Sequence, residues 1–174
     1  MWFLVSLLVK QLLVIRHAKS SWAKIGQADF DRPLNDRGKK DAPLMAKRML
    51  EKKIAIDAFI SSPANRALST ASFFAEAYKL PFKKIDQVPQ LYHAAPSIFF
   101  ETIGLIDQNI QIAAIFSHNP GITEFVNQLT DTHIDNMPTC GIFAVNIGID
   151  NWSDFANADK TFAFFEYPKL LGAV

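Results

Sequence analysis

The sequence predicts a three-layer α/β/α sandwich with a mainly parallel central sheet and an antiparallel edge strand. Short apolar runs alternate with longer segments of helical pattern, which is typical of parallel strands joined by helices. The run IAAIF (112–116) is apolar at every position, as expected of a strand covered on both faces. Of the 174 residues 49% are hydrophobic and 20% charged, so we expect a single domain over residues 1–174.

The strands are identified by apolar or β-rich runs that end at polar or turn residues. The last two are separated by a long polar segment, and one of them is expected to pair antiparallel at a sheet edge. The predicted strands are 12–15, 56–62, a short run within 83–93, 111–118, 140–148 and 160–168.

The helices are identified by their start signals. Asn35 or Asp36 is a suitable N-cap for the first helix, and Pro96 suits the first turn of the third. The predicted helices are 35–53, 65–78, 96–107 and 121–129.

Charge and cysteine content exclude several classes of protein. A net charge of +1 predicts neither nucleic-acid binding nor adsorption to a membrane surface. The single cysteine, Cys140, excludes an internal disulfide and suits a reducing cytoplasm, where we expect the protein to reside. No basic residue adjoins Cys140, so we interpret it as a small buried side chain rather than a nucleophile. The apolar segment 1–9 is too short to span a bilayer, and we interpret it as an extension of the first strand or the product of an upstream start codon.

Polar residues follow three predicted strands at their carboxyl ends. Arg16 and His17 end the first strand, Arg66 lies just after the second, and His118 directly follows the fourth. Ligands of open α/β sheets bind beyond the carboxyl ends of the strands. Arginine forks and helix N-termini at that edge predict an anion site, above all one for a phosphoryl group.

Each of these residues, taken singly, also has a structural interpretation as a capping or surface side chain, and the joint placement favours a site. His93 and His133 lack that placement, and we interpret His133 as structural. The four histidines show no metal-ligand spacing and no accompanying acidic or cysteine cluster, so no metal or cofactor is predicted.

The residue types at this edge predict phosphoryl transfer through a histidine. His17 is the candidate nucleophile, provided that a backbone carbonyl holds one ring nitrogen as N–H. Arg16 and Arg66 would hold the phosphoryl oxygens, and His118 would donate a further hydrogen bond to them. Water would then hydrolyse the phosphohistidine intermediate.

Several motifs resemble those of the histidine phosphatase superfamily, which implies a phosphoglycerate-mutase-like fold. The broad motifs are RHA (16–18), SSPANRALSTA (61–71) and SHNPG (117–121). A closer resemblance to SixA-like phosphohistidine phosphatases comes from RHAKSSW (16–22), FDRPLNDRGKKDA (30–42), LYHAAP (91–96), PTC (138–140) and YPKLL (167–171).

The resemblance assigns roles to particular residues. It implies that Arg16, His17, Arg66 and His118 form the phosphate pocket, with His17 as the phosphorylated nucleophile. It also implies that Arg32 is an extra phosphate contact. Arg32 has an alternative role in an ion pair, for which the candidate partners are Asp29, Asp31 and Asp36.

The segment after the third strand lacks the acid that many members of the superfamily use as proton donor. It reads PQLYHAAPSIFFE (89–101), and Glu101 should lie well along the next helix. An alkoxide leaving group needs a proton, whereas an imidazole with a protonated distal nitrogen leaves as a neutral molecule. The missing acid therefore favours a phosphohistidine substrate, although His93, as candidate proton donor, keeps an ester substrate open.

We therefore expect a metal-independent phosphohistidine phosphatase that needs no cofactor. Its expected partner is a histidine-phosphorylated signalling or carrier protein, either a phosphotransfer domain or a phosphotransferase-type carrier. Phosphate or another oxyanion should bind in the pocket, and neither nucleic acid nor membrane is expected as a partner. The alternatives are a small-molecule phosphomonoesterase and a non-catalytic phosphate-binding regulatory module.

Overall fold

The computed structural model of the protein describes residues 9–22 and 25–172. The strands in these ranges are β1 (Val9–Arg16), β2 (Ala58–Ser61), β3 (Ile85–Gln87), β4 (Ile112–Ser117), β5 (Ile142–Gly148) and β6 (Lys160–Glu166). The helices are α1 (Asp36–Glu51), α2 (Asn65–Ala77), α3 (Pro96–Gly104) and α4 (Gly121–Val126). Of the N-terminal segment 1–9 only Val9 is described, at the start of β1, so the interpretation of residues 1–8 lies outside the described residues.

The predicted three-layer α/β/α architecture is confirmed. Within the described ranges the strands form one sheet in the order β3-β2-β4-β1-β5-β6. Side chains alternate along β1, so that Leu12 and Val14 pack on the face covered by α3 and α4. Leu13 and Ile15 pack on the opposite face, against α1 and α2. Both faces of β1 are therefore buried, which explains its uninterrupted apolar sequence.

The sheet is parallel on one side of β1 and antiparallel on the other. β1, β4, β2 and β3 pair in parallel, whereas β5 runs antiparallel to β1 and β6 antiparallel to β5. The expected antiparallel pairing at the edge is present in β6, but the strand that reverses direction is β5, one place in from the edge. The chain after α4 crosses the carboxyl end of β1, where the Cys140 N–H donates to the carbonyl oxygens of Arg16 and His17 at 3.1 Å. β5 therefore enters the sheet at that end and runs the opposite way.

The helices begin where their start signals predict, and all four end before the predicted boundary, two of them by three residues. The Asn35 side chain caps α1 by accepting a hydrogen bond from the Gly38 N–H at 2.9 Å. α3 ends at Gly104 and α4 at Val126, each three residues before the predicted boundary. No helix in the described part of the chain is both long and apolar enough to cross a membrane.

Gly121 allows α4 to approach the loop that carries His93 and Ala94. A Cβ at this position would overlap the carbonyl oxygen of Ala94. We expect Gly121→Ala to lower the free energy of unfolding by about 1–3 kcal/mol, because the loop or the helix must shift. Gly104→Ala is the matched control, since nothing lies within 4 Å of its Cβ position. Chemical denaturation of both variants is the measurement, and equal stabilities would show that the close packing at Gly121 is absent.

Candidate active site

β1, β4 and β2 end at the same level of the sheet, and a pocket lies at their carboxyl ends. Arg16 pairs with Ser117, and Ser61 pairs with Phe116. The pocket, of about 330 Å³, is lined by every candidate site residue from the sequence, namely Arg16, His17, Arg32, Arg66, His93 and His118. The structure thus brings these side chains together, while their chemical roles remain predictions. His133 is exposed in the loop after α4 and is not among the lining residues.

His17 is held in the orientation that a nucleophile requires. Its Nδ1 lies 2.7 Å from the carbonyl oxygen of Ala18. A carbonyl oxygen can only accept, so Nδ1 carries the proton and Nε2 carries a lone pair. The Arg66 Nε–H donates to that Nε2 at 3.2 Å. The lone pair of His17 is therefore directed towards the guanidinium of Arg66.

Burial keeps His17 and His118 in the neutral form. It lowers the pKa of His17 to about 3, and the neighbouring arginines add to this effect. Burial also lowers the pKa of His118 to about 2, with a further contribution from His17. Both imidazoles are neutral at pH 7, so the Nε2 lone pair of His17 is available at that pH.

Arg16 and His118 each present a buried nitrogen without a partner. The Arg16 Nη1 donates to the Met137 carbonyl oxygen at 2.7 Å, but its Nε has no partner. The Nε2 of His118 lies 2.8 Å from the Ser62 Oγ, and its Nδ1 has no partner. Among the described residues these are the buried side-chain nitrogens or oxygens left unsatisfied. Since such groups are costly to bury, this pair indicates a place for an oxyanion acceptor.

Arg32 lines the pocket and is also part of an ion pair. Its Nη1 donates to Asp29 Oδ1 at 2.9 Å, so Asp29 is its carboxylate partner among the three acids considered. The Nη2 donates to the Ser20 Oγ at 2.6 Å and the Nε to the Ser21 carbonyl oxygen at 3.1 Å. The Arg32 Cζ lies 3.2 Å from the centroid of the Trp22 ring, so the guanidinium stacks on that ring. These contacts fix Arg32 at the pocket wall, where its phosphate contact remains a prediction.

Asp29 places a carboxylate in the pocket, which sequence reasoning missed. Its Oδ2 accepts from Arg66 Nη2 and from the Tyr92 hydroxyl, each at 2.9 Å. Partial burial alone would raise the pKa of Asp29, but hydrogen bonds from Arg32, Tyr92 and Arg66 hold it well below its usual range. As expected, the segment after β3 contributes no acid to the pocket lining, and the carboxylate of the pocket comes from Asp29 instead. The position three residues before Arg32 was the available signal, and it was interpreted only as an ion-pair partner.

His93 stands at the mouth of the pocket beside Asp29. Its Nε2 lies 3.6 Å from Asp29 Oδ2, and its side chain is 57% exposed. Glu101, on α3, is exposed and does not line the pocket. His93 thus lies between the pocket and solvent, and its role as proton donor stays a prediction.

Cys140 is a buried structural residue, as predicted. It is fully buried, and burial raises the pKa of its thiol. Its backbone, with φ of 58°, carries the N–H that binds the carbonyl oxygens at the end of β1. In the described residues no group of three or more histidine, cysteine or acidic side chains is arranged to hold a metal ion.

The chain is similar in sequence to a known protein family and to proteins of other organisms. Residues 12–91 match the model of the histidine phosphatase superfamily (branch 1). An uncharacterised protein of Mycobacterium tuberculosis is 28% identical over 165 residues, which cover 89% of this chain and all of that protein. Phosphoserine phosphatase 1 of Hydrogenobacter thermophilus is 36% identical over 85 residues, which cover 48% of this chain and 39% of that enzyme.

Solved structures share the whole fold. The protein histidine phosphatase SixA, complexed with tungstate, superimposes with a TM-score of 0.78 at 22% identity, covering 92% of this chain and 99% of that one. A mycobacterial glucosyl-3-phosphoglycerate phosphatase superimposes with a TM-score of 0.63 at 13% identity, covering 88% and 97%. At these identities the likeness shows a common fold.

Proposed function

We propose that the chain, whose residues 12–91 match the histidine phosphatase superfamily, is a member of that superfamily and removes the phosphoryl group from a phosphohistidine of another protein. The superfamily match and the phosphatase neighbours support a phosphatase hydrolase. The observation that carries the finer proposal is His17, whose Nδ1 lies against the Ala18 carbonyl oxygen while Nε2 accepts a hydrogen bond from Arg66. The partner is a histidine-phosphorylated signalling or carrier protein of the cytoplasm, and no metal takes part.

The first half-reaction transfers the phosphoryl group to His17. Its Nε2 lone pair forms a bond to phosphorus while the P–N bond to the substrate imidazole breaks. The electron pair of the broken bond stays on the substrate nitrogen, and the proton on the distal nitrogen makes the leaving imidazole neutral. Arg16 and Arg66 neutralise the phosphoryl oxygens in the in-line transition state. His118 donates to them from Nδ1 in the tautomer in which its Nε2 accepts from the Ser62 hydroxyl.

The second half-reaction returns the enzyme to its starting state. A water oxygen bonds to phosphorus, the P–Nε2 bond breaks, and its electron pair returns to Nε2 of His17. The water proton passes to the departing phosphate or to solvent, and inorganic phosphate leaves. Nδ1 keeps its proton throughout, because the carbonyl of Ala18 holds it.

The protonation states in the pocket support a phosphoramidate substrate. Asp29 is held in the ionised form and His118 in the neutral form, so neither is a ready proton donor at pH 7. An ester would release an alkoxide, whose conjugate acid is about as weak as water with a pKa of about 15.7. Transfer between two imidazoles exchanges one P–N bond for another and needs no acid. The tungstate complex of SixA supports a tetrahedral oxyanion as the bound group.

A small-molecule phosphomonoesterase is the second candidate. It is favoured by His93, which lies at the mouth beside Asp29 and would protonate an ester leaving group. The local similarity to phosphoserine phosphatase 1 adds to it. The two candidates differ in substrate and share the same nucleophile and arginines.

A substrate panel with chelator present separates these functions. A phosphohistidine protein and a series of phosphate monoesters are incubated with the protein, and kcat/KM is measured for each. We expect kcat/KM for the phosphohistidine protein to exceed that for the best ester by at least about 100-fold. Preference for esters would establish the second candidate, and binding without turnover of either would establish a regulatory phosphate-binding module. Activity that the chelator removes would contradict the mechanism.

A further inference from the structure

We propose that Asp29 selects the substrate by accepting a hydrogen bond from the distal N–H of its phosphorylated imidazole. This inference rests on the proposed function. It adds a residue that contacts the leaving group rather than the phosphoryl group. It gives a role to a carboxylate that stands among cations otherwise suited to hold phosphate.

The position of Asp29 suits contact with a leaving group. Arg66 bridges the two sites, since its Nε donates to His17 Nε2 at 3.2 Å and its Nη2 to Asp29 Oδ2 at 2.9 Å. The Arg66 side chain is 4% exposed and that of Asp29 32%, so the carboxylate lies on the solvent side of the arginine. In an in-line transfer the leaving group lies opposite the nucleophile, which here is towards the pocket mouth.

The carboxylate has room for one more donor. Its Oδ1 accepts from Arg32, and its Oδ2 from Arg66 and Tyr92. An ionised carboxylate offers about four acceptor sites, so Oδ1 keeps acceptor capacity. The exposed ring of His93 already approaches Oδ2 from the mouth, with Nε2 at 3.6 Å. An imidazole N–H can therefore reach this carboxylate from the solvent side.

This contact would favour phosphohistidine over esters. A carboxylate acceptor stabilises the proton on the distal nitrogen, and that proton lets the imidazole leave as a neutral molecule when the P–N bond breaks. An ester has no N–H at this place, and its leaving oxygen, which gains negative charge as the P–O bond breaks, meets a like charge. Asp29 is well suited to accept, because Arg32, Tyr92 and Arg66 keep its pKa below the usual range.

Asp29→Asn tests the proposal through the ratio of two activities. kcat/KM is measured for a phosphohistidine protein and for p-nitrophenyl phosphate. We expect the ratio of the first to the second to fall by about 10- to 100-fold in Asp29→Asn, as for loss of a charge-assisted hydrogen bond. Asp31→Asn is the matched control, because Asp31 lies exposed in the same turn (Asp29–Asp31) and does not line the pocket, and its ratio should equal that of the wild type. Asp29→Glu retains the charge and should retain most of the ratio.

A purely structural role for Asp29 gives a different result. If the carboxylate only orients Arg66 and Arg32, Asp29→Asn lowers both activities equally and weakens inhibition by tungstate, with the ratio unchanged. That result overturns the inference. Failure of the proposed function is distinct, since it appears in the wild-type protein as a lack of phosphohistidine cleavage.

Discussion

Replacing His17 with asparagine will lower kcat for the preferred substrate by at least about 10³-fold, because removal of a covalent nucleophile leaves only binding and electrostatic stabilisation. Asparagine is smaller than histidine, but its amide nitrogen can take the place of Nδ1 as donor to the Ala18 carbonyl oxygen. The loss should appear in kcat, since Arg16 and Arg66 remain to bind the phosphoryl group. Steady-state kinetics, with circular dichroism to verify the fold, is the measurement.

His133→Asn is the matched control for this variant. His133 is exposed in the loop after α4, away from the pocket lining, and its replacement should leave kcat unchanged. A His17→Asn protein with a tenth or more of the wild-type kcat would exclude a covalent role for this residue.

Replacing Arg66 with methionine will lower kcat/KM by about 10³-fold, an effect typical of removing a cation that stabilises a phosphoryl transition state. Arg66 is buried, touches Nε2 of His17 and holds Asp29 through two hydrogen bonds. Arg66→Lys keeps the charge but loses the planar fork, so we expect an intermediate activity. Inhibition by tungstate should weaken in the same order.

Arg37→Met controls for the removal of a positive charge as such. Arg37 lies on α1 with a 47% exposed side chain, pairs with Asp41 and does not line the pocket. Its activity should match that of the wild type. If Arg66→Met and Arg37→Met bind tungstate equally well, Arg66 does not hold the oxyanion.

The parts of the site that follow from topology could be predicted from the sequence. A buried strand that ends in polar residues places them at the carboxyl edge of a parallel sheet, whatever the loops do. Arg16, His17 and His118 are of this kind, Arg66 lies in the first turn of the helix that follows β2, and the structure brings all four into one pocket. The uninterrupted apolar run LLVI of β1 likewise predicted that both faces of the strand are buried.

The parts that depend on loop conformation could not be predicted. Asp29 lies in a single 3₁₀ turn, and Tyr92 lies in another short segment. Such segments have no hydrophobic periodicity from which their position relative to the pocket could be predicted. The support of Arg16 by the Met137 carbonyl depends on the path from α4 to β5. The direction of β5 follows from the same path, which explains why the reversal was expected only at the edge.

Identification of the phosphorylated enzyme intermediate is the most direct test of the proposed mechanism. Protein mixed rapidly with a phosphohistidine substrate is quenched in alkaline denaturant and digested, and the site of phosphorylation is mapped by mass spectrometry. We expect a transient phosphoryl group on Nε2 of His17, lost on the time scale of turnover and absent from His17→Asn. Turnover without phosphorylation of His17, or phosphorylation of another residue at a rate that matches kcat, would contradict the proposed mechanism.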